Sequence, residues 1–375
     1  MSNFDVSKEW AILVPPNIPE VKKAAGDLSR YIGLLASLIK SRYVKPVSAS
    51  GVVPAIVATI AATIADASSE APPGPVIVLD SDGGDPGRNG FSWRARPERV
   101  EIYGESGRGL CNGIYSFLSA MGISWPVPGE EEFPRPEAKD PQCFPLVVDS
   151  MNEPSRYEGT DPAAAPWRRF VPAGKKTVKN ILKRSEAFIA WAARRRYDAV
   201  VFPLTVFGSD LGGGKLKQFK QAAGEYGIAI EAGGRDLSAL VPRGYYFFHR
   251  DIFRMEEGAR KKAYHFCPTN PATIRVIEKE GGKLFRSAGD IRVFHLWPDR
   301  GAETVWCSCP SCRAFSPSEQ NRIGVNSAAD VLAAVNPRAS VTYFEKSGEG
   351  GNIPLRKNLF RMEKLPEEKE CYGKG

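Results

Sequence analysis

Three cysteines crowd into Cys307-Ser-Cys309-Pro-Ser-Cys312, and a fourth, Cys267, lies upstream in His265-Phe-Cys-Pro. The spacing is compact enough for a single zinc ion to take three thiolates at ~2.3 Å; Cys267 is the natural fourth ligand, with His265 in reserve. Four ligands would close the coordination sphere, so such a zinc would be structural and catalysis would need no cofactor. A disulfide plus a free thiol, or unligated thiols, are the alternatives. The total of seven cysteines is odd, and in a chain with no visible export signal the cluster favours thiols or metal over a disulfide framework.

Carboxylates form the second group. Asp299 follows the apolar run 293–297 and Pro298, and Glu231 ends the run from Ile228. Asp236 and Glu303 lie in the loops after those two runs, and Glu158 follows Arg156 and Tyr157. Acid/base work needs paired carboxyl groups, one protonated and one ionised, so Asp299, Glu231 and Glu303 are the catalytic candidates. Trp297 offers a stacking platform beside Asp299, and Arg156, Glu158, Arg235, Asp236 and His295 are candidates for holding a polar ligand. Each has a plainer alternative: a loop-capping aspartate for Asp299, solvated charges or salt bridges for Glu231 and Glu303, an ion pair for Arg156, and a satisfied core imidazole for His295.

These groups need strand ends to present them. The length of 375 residues suggests two domains. In residues 1–130, a short strand at 10–15, an amphipathic helix from Pro19, a strand at 75–80, a hairpin through Trp93 and Ile102, and a helix at 109–121 predict a split βαβ α/β layer. The uncharged stretch 52–65 is too short for a membrane span and reads as a buried or partly buried helix. Residues 131–153, rich in proline and acidic residues, read as a linker. In 154–375, helices at 186–196, 215–226, 271–286 and 318–335 each deliver an apolar run, at 199–204, 227–232, 292–297 and 340–344. That alternation predicts a parallel sheet covered by helices.

Segment 104–129 contains R-G-L-C-N-G-I-Y-S-F-L and G-I-S-W-P-V-P. It resembles the small N-terminal domain that precedes the barrel in β-hexosaminidases and α-glucuronidases. The motifs H-F-C-P-T-N-P at 265–271, W-P-D at 297–299, W-C-S-C-P-S-C at 306–312 and the helix from Gln320 to Asp330 resemble the domain-of-unknown-function 4838 family, related to those enzymes. The resemblance implies a TIM-type (β/α) barrel with its site at the C-terminal ends of the strands. Two features depart from it. The adjacent Asp-Glu pair of family 20 hexosaminidases occurs nowhere in this chain, and a histidine is expected where Arg235 stands. Counting from a first strand near Arg156 gives about five strands, an incomplete barrel whose last strand, 341–344, would have an open edge and favour homo-oligomers.

The net charge of +8 is spread along the chain without the interleaved aromatics of an RNA-binding sheet, so nucleic acid is not the expected partner. Nor is a membrane. Without a visible leader the expected location is the cytoplasm. The expected activity is hydrolysis of O-glycosidic bonds in a carbohydrate through a carboxylate acid/base pair, against a non-catalytic or truncated carbohydrate-binding protein. A zinc-stapled nucleic-acid binder is a third class, resting on charge and cysteines alone.

Overall fold

The computed structural model describes residues 2–5, 8–16, 18–43, 63–66, 74–81, 88–134, 143–146, 151–154, 167–208, 213–346, 348 and 351–372. Its first part contains β1 (Ser2–Asp5), β2 (Ala11–Val14), α1 (Pro19–Tyr43), β3 (Thr63–Asp66), β4 (Val76–Ser81), β5 (Phe91–Arg96), β6 (Arg99–Gly104), α2 (Gly107–Ala120), β7 (Cys143–Leu146) and β8 (Met151–Glu153). Six of these strands form one sheet in the order β3-β2-β4-β6-β5-β8, while β1 and β7 pair as a separate ribbon. The β5–β6 hairpin follows the period-two alternation of its residues, with Phe91, Trp93 and Ala95 buried and Arg94 and Arg96 exposed. The stretch read as a helix at 52–65 differs: Thr63–Asp66 is a strand parallel to β2, and residues 52–62 lie outside the described ones. The stretch read as a linker contributes β8 to the sheet edge.

Helix α2 lies hard against this sheet. A Cβ on Gly109 would stand 2.5 Å from the carbonyl oxygen of Gly90, and one on Gly113 would stand 2.8 Å from Ile102 Cγ2. The glycines of the R-G-x-x-x-G motif are therefore required by close approach.

The second part contains β9 (Arg169–Pro172), α3 (Lys175–Lys183), α4 (Ser185–Arg194), β10 (Ala199–Phe202), α5 (Leu204–Phe207), α6 (Gly213–Glu225) and β11 (Ala229–Gly234). A small hairpin of β12 (Met255–Glu256) and β13 (Ala259–Arg260) precedes a helix built from α7 (Pro271–Val276), a π-helical turn at Ile277–Gly281 and α8 (Gly282–Ser287). Then come β14 (Val293–Leu296), α9 (Pro317–Val335), β15 (Ser340–Phe344), β16 (Leu359–Met362) and β17 (Glu368–Lys369). Seven strands form a parallel sheet in the order β16-β15-β14-β11-β10-β9-β17.

The alternation of helix and strand is as expected, and the architecture is an α/β layer followed by a TIM-type parallel β/α sheet. Two details differ. The described residues hold seven strands where about five were expected, because β16 and β17 fall in a charged stretch with no continuous apolar run. Strand β15 is flanked by β14 and β16, so the open edge expected there, the premise for self-association, is filled by the chain itself. The first strand expected near Arg156 lies outside the described residues; β9 occupies that place in the sheet order.

The two parts share one apolar core, in which Ile114, Phe117 and Trp125 join Phe170, Phe188, Trp191 and Phe219. Arg108 is the polar link. Its buried guanidinium donates to the carbonyl oxygens of Tyr197 at 2.7 Å, Tyr226 at 3.3 Å and Ala193 at 3.4 Å, and lies 3.8 Å from Asp198. Those carbonyls end α4 and α6, where a cation also meets the negative pole of each helix. Asn112 adds a 3.3 Å bond to Asp198. The arginine of the motif thus docks one layer on the other.

Arg108→Ala leaves three carbonyls and the Asp198 carboxylate buried without that donor, and it should destabilise the chain by about 3 kcal/mol. Arg108→Lys should recover only a minor part, since an ammonium lacks the planar fork. Urea midpoints of the two variants against wild type measure both effects.

Candidate functional site

Inside the curled sheet, alternate residues of several strands meet. Arg169 of β9 grips Glu231 of β11 with two bonds, Nε to Oε2 at 2.6 Å and a terminal nitrogen to Oε1 at 3.2 Å, each side chain being only 1% exposed. His295 of β14 reaches the same Oε2 through Nε2 at 2.8 Å and Thr342 Oγ1 through Nδ1 at 2.6 Å; Trp297 Nε1 donates to that hydroxyl at 2.9 Å. One proton arrangement satisfies every atom in this chain. The indole N–H donates to the Thr342 oxygen, the Thr342 hydroxyl donates to Nδ1, and Nε2–H donates to the carboxylate. His295 is then neutral, in keeping with burial, which lowers its pKa against the opposing charge of Glu231. Burial works to raise the pKa of Glu231, but the charge of Arg169 and the hydrogen bonds from Arg169 and His295 hold it down at about 2.

A second shell of groups caps this interior at the C-terminal ends of the strands. Gly233 and Gly234 close β11 with φ of 110° and 126°, and a Cβ on Gly233 would overlap the carbonyl oxygen of His295. Only glycine fits there. Beyond them Arg235 pairs with Glu303 at 2.5 Å, and Asp236 Oδ2 accepts the Leu204 N–H at 3.1 Å. Asp299 Oδ1 accepts from the Ser238 hydroxyl at 2.7 Å. His265, stacked on Trp306 with ring centroids 4.3 Å apart, donates Nε2–H to the Ala302 carbonyl at 2.8 Å. Its Nδ1 then faces Asp299 Oδ2 at 3.6 Å.

Three polar atoms of this group, Asp236 Oδ1, His265 Nδ1 and Asp299 Oδ2, are buried without a hydrogen-bond partner. Burial first, and the charge of Asp299 after it, push the Asp236 carboxyl up to about 7. Burial lowers the pKa of His265, against the pull of Asp299. The mouth therefore holds a carboxyl that can be protonated near neutrality, a second carboxylate, and an imidazole with a spare lone pair.

The structure brings together Asp236, Asp299 and His265, and separately Glu231, His295 and Trp297. Glu231 lies within the interior, because β11 runs on through Gly234. Trp297 is fully buried, packed with Val171, Val201, Phe344, Met362 and Leu365. Glu303 and Arg235 form a half-buried pair to the side. Arg156 and Glu158 lie outside the described residues. Arg169, Ser238, Thr342 and Glu345 were not singled out from the sequence. Glu345 follows β15 and binds Arg322 at 2.7 and 2.8 Å. Arg169 and Thr342 could have been found as polar residues placed inside short apolar strands.

All four cysteines of the cluster are buried free thiols. Cys267 Sγ lies 3.7 Å from Cys309 Sγ and 3.6 Å from Cys312 Sγ, and the four sulfurs all fall within 4.8 Å of one another. Hydrogen bonds from the Cys307 and Cys312 thiols hold the Cys267 pKa far below its ordinary value. Such a group could hold a metal ion. No helix among the described residues is long and apolar enough to cross a membrane.

Glu231→Gln leaves Arg169 as a buried cation without its counter-charge and should destabilise the chain by about 3 to 5 kcal/mol. The pH dependence has a definite sign. Because the folded carboxyl titrates at about 2 instead of 4.5, its stabilisation is complete above pH 4.5 and is lost as pH falls towards 2. Denaturant titrations of wild type and Glu231→Gln across that window should converge at the acid end.

No family model matches the sequence, and no curated protein does. Solved structures match in fold. The chitobiase of Flavobacterium johnsoniae aligns over 96% of this chain and 52% of its own, at 14% identity and a TM-score of 0.50. The GH20 β-N-acetylhexosaminidase of Streptomyces coelicolor A3(2) aligns over 96% and 66%, at 13% identity and a TM-score of 0.47. This chain spans roughly half to two thirds of the length of these enzymes. The likeness is one of fold: a hexosaminidase-like α/β layer leading into a parallel β/α sheet.

Proposed function

We propose that this protein acts on carbohydrate as a glycoside hydrolase of the O-glycosidic class, with its site at the C-terminal mouth of the parallel sheet. The observation that carries the reading is the convergence there of Asp236, Asp299 and His265, each with a buried polar atom left for a ligand. Asp236, raised to about 7, is the candidate acid that protonates the leaving oxygen, and Asp299 is the candidate base or nucleophile. Glu303, gripped by Arg235, is a second-choice carboxylate, and Arg235 a sugar-binding candidate. Glu231, Arg169 and His295 position the floor of the site. Arg156 and Glu158 remain sugar-binding candidates by their place in the sequence. The kinship with the domain-of-unknown-function 4838 group, the division at residues 131–153 and a cytoplasmic location belong to this reading. The chemistry requires no cofactor, so a zinc at the cysteines would be structural.

One observation favours a non-catalytic carbohydrate-binding protein instead. The segment from β16 to β17 crosses the mouth, and Met362 and Leu365 pack on the Trp297 cluster, covering the ring expected to stack on a sugar.

A panel of aryl glycosides, N-acetylglucosaminides included, separates the two. If the protein is a hydrolase, Asp299→Asn should keep its fold and lose turnover by about 100-fold or more. Wild-type turnover should decline as pH rises through about 7, where Asp236 loses its proton. Sugar binding without turnover across the panel selects the non-catalytic reading, and full turnover in Asp299→Asn refutes the site.

A further inference from the structure

Two loops frame the mouth. The one between β11 and α7 carries Asp236, Ser238 and His265, and the one between β14 and α9 carries Asp299, Ala302, Glu303 and Trp306. Each also contributes to the cysteine cluster: Cys267 lies two residues beyond His265 on the first loop, and Cys307 directly follows Trp306 on the second. We infer that Cys267, Cys307, Cys309 and Cys312 bind one Zn²⁺ in a closed tetrathiolate site, and that this ion is the clamp setting His265 against Asp299.

The sulfur spacing selects the kind of site. Four thiolates about 2.3 Å from one tetrahedral ion stand about 3.8 Å apart along each edge. The measured contacts of 3.6 and 3.7 Å match that edge, whereas a disulfide needs about 2.05 Å. The closeness of the four sulfurs calls for a single ion. All four are soft donors, the set that favours zinc over magnesium or calcium.

The surroundings are built for negative sulfur. The Met255 N–H donates to Cys307 Sγ at 3.2 Å, the Arg260 guanidinium approaches the same sulfur at 3.8 Å, and the Thr269 hydroxyl stands 3.1 Å from Cys312 Sγ. Gln320 of α9 holds the second loop in shape. Its Oε1 accepts the Cys307 N–H at 3.0 Å, and its Nε2 donates to the carbonyls of Cys307, Cys312 and Phe315. Such donors orient ligands and temper their charge. On binding, each sulfur that still carries a proton releases it to solvent and four Zn–S bonds form, with no change of oxidation state.

The clamp follows from connectivity. His265 touches the second loop through the Ala302 carbonyl and the Trp306 ring. Between His265 and Asp299 themselves no hydrogen bond closes, the nearest approach being 3.6 Å. The Ser238–Asp299, Arg235–Glu303 and Ser308–Met255 contacts also join the two loops, but His265 itself meets the second loop only through that stack and that hydrogen bond, and the ion would fix the chain two residues beyond it. The metal site stands without the glycosidase reading; only its importance for turnover rests on that reading, and neither readout below involves turnover.

The full chain, purified under reducing conditions from cells grown with zinc, should carry about one equivalent of Zn²⁺ by elemental analysis. Cys309→Ser should lose most of it and Cys371→Ala should keep it. Should Cys309→Ser fail to fold, Co²⁺ added to metal-free wild type decides the matter, a single tetrahedral thiolate site giving strong sulfur-to-cobalt absorption that saturates at one equivalent. Chelation should raise amide hydrogen exchange in 265–270 and 302–315 by at least ten-fold while the β4–β6 sheet is unchanged. Wild type without zinc or a saturable cobalt spectrum overturns the site. Metal loss with unaltered exchange in both loops overturns the clamp.

Discussion

Glu231 is a carboxylate in the interior of a parallel sheet, and the rest of the second part is organised around the cost of keeping it there. An ion this deeply buried is tolerated only when its counter-charge and hydrogen bonds are complete. Here Arg169 supplies the charge, His295 the remaining donor, Thr342 satisfies His295, and Trp297 satisfies Thr342. The network ties β9, β11, β14 and β15 across the curled sheet, so their relative register is set by polar matching as well as by backbone pairing. Removing one member strands the others, which gives the interior a single arrangement instead of the interchangeable packing of an all-apolar core.

The same logic repeats at the boundary between the two parts. Arg108 sits where two helix ends would otherwise bury their last carbonyls against the first sheet. A guanidinium that serves three carbonyls and neighbours Asp198 turns a desolvation problem into a docking point. With the shared aromatic core around Phe170 and Trp191, this makes the first layer a buttress for β10 and β11, and through them for the mouth.

Much of the architecture was legible because buried parallel strands are continuous apolar runs. Those at β10, β11, β14 and β15 follow amphipathic helices and could be read directly. Strand β9 was hidden, since Trp-Arg-Arg-Phe-Val-Pro breaks its apolar run with two arginines, one of them the interior partner of Glu231. Strand β17 is two residues, Glu368 and Lys369, defined only by pairing with β9. At the candidate site, the place of Asp299 could be read from the strand end before it, and the grouping of the cysteines from their spacing. Glu231 was placed too near the mouth because its strand does not stop at Ala232. Gly233 and Gly234 extend it in a backbone conformation that no apolar pattern marks. Trp297 shares the parity of His295, so alternation could have turned it inward; its partners Val201 of β10 and Leu365 of the segment after β16 are distant in sequence and could not be read.

The cover over Trp297 is joined to the sheet by a short pairing. Segment 363–367 is followed by the two-residue pairing of β17 with β9, an ion pair between Glu368 and Arg300, whose arginine is 68% exposed, a 3.2 Å bond from Lys369 to the Tyr197 hydroxyl, and Cys371 buried in the main core. Such surface pairs contribute about 0 to 1 kcal/mol, and covering one leucine side chain contributes about 1.5 to 3 kcal/mol. A ligand with only millimolar affinity brings about 4 kcal/mol. Lifting Leu365 off the indole is therefore comparable in cost with what weak sugar binding supplies, and breaking the Arg169–Glu231–His295 floor beneath it costs about 3 to 5 kcal/mol. The molecule is thus graded along the barrel axis, rigid where charge is buried and yielding at the surface that would meet a carbohydrate. Under that grading a closed mouth and a working site are compatible states of the same chain.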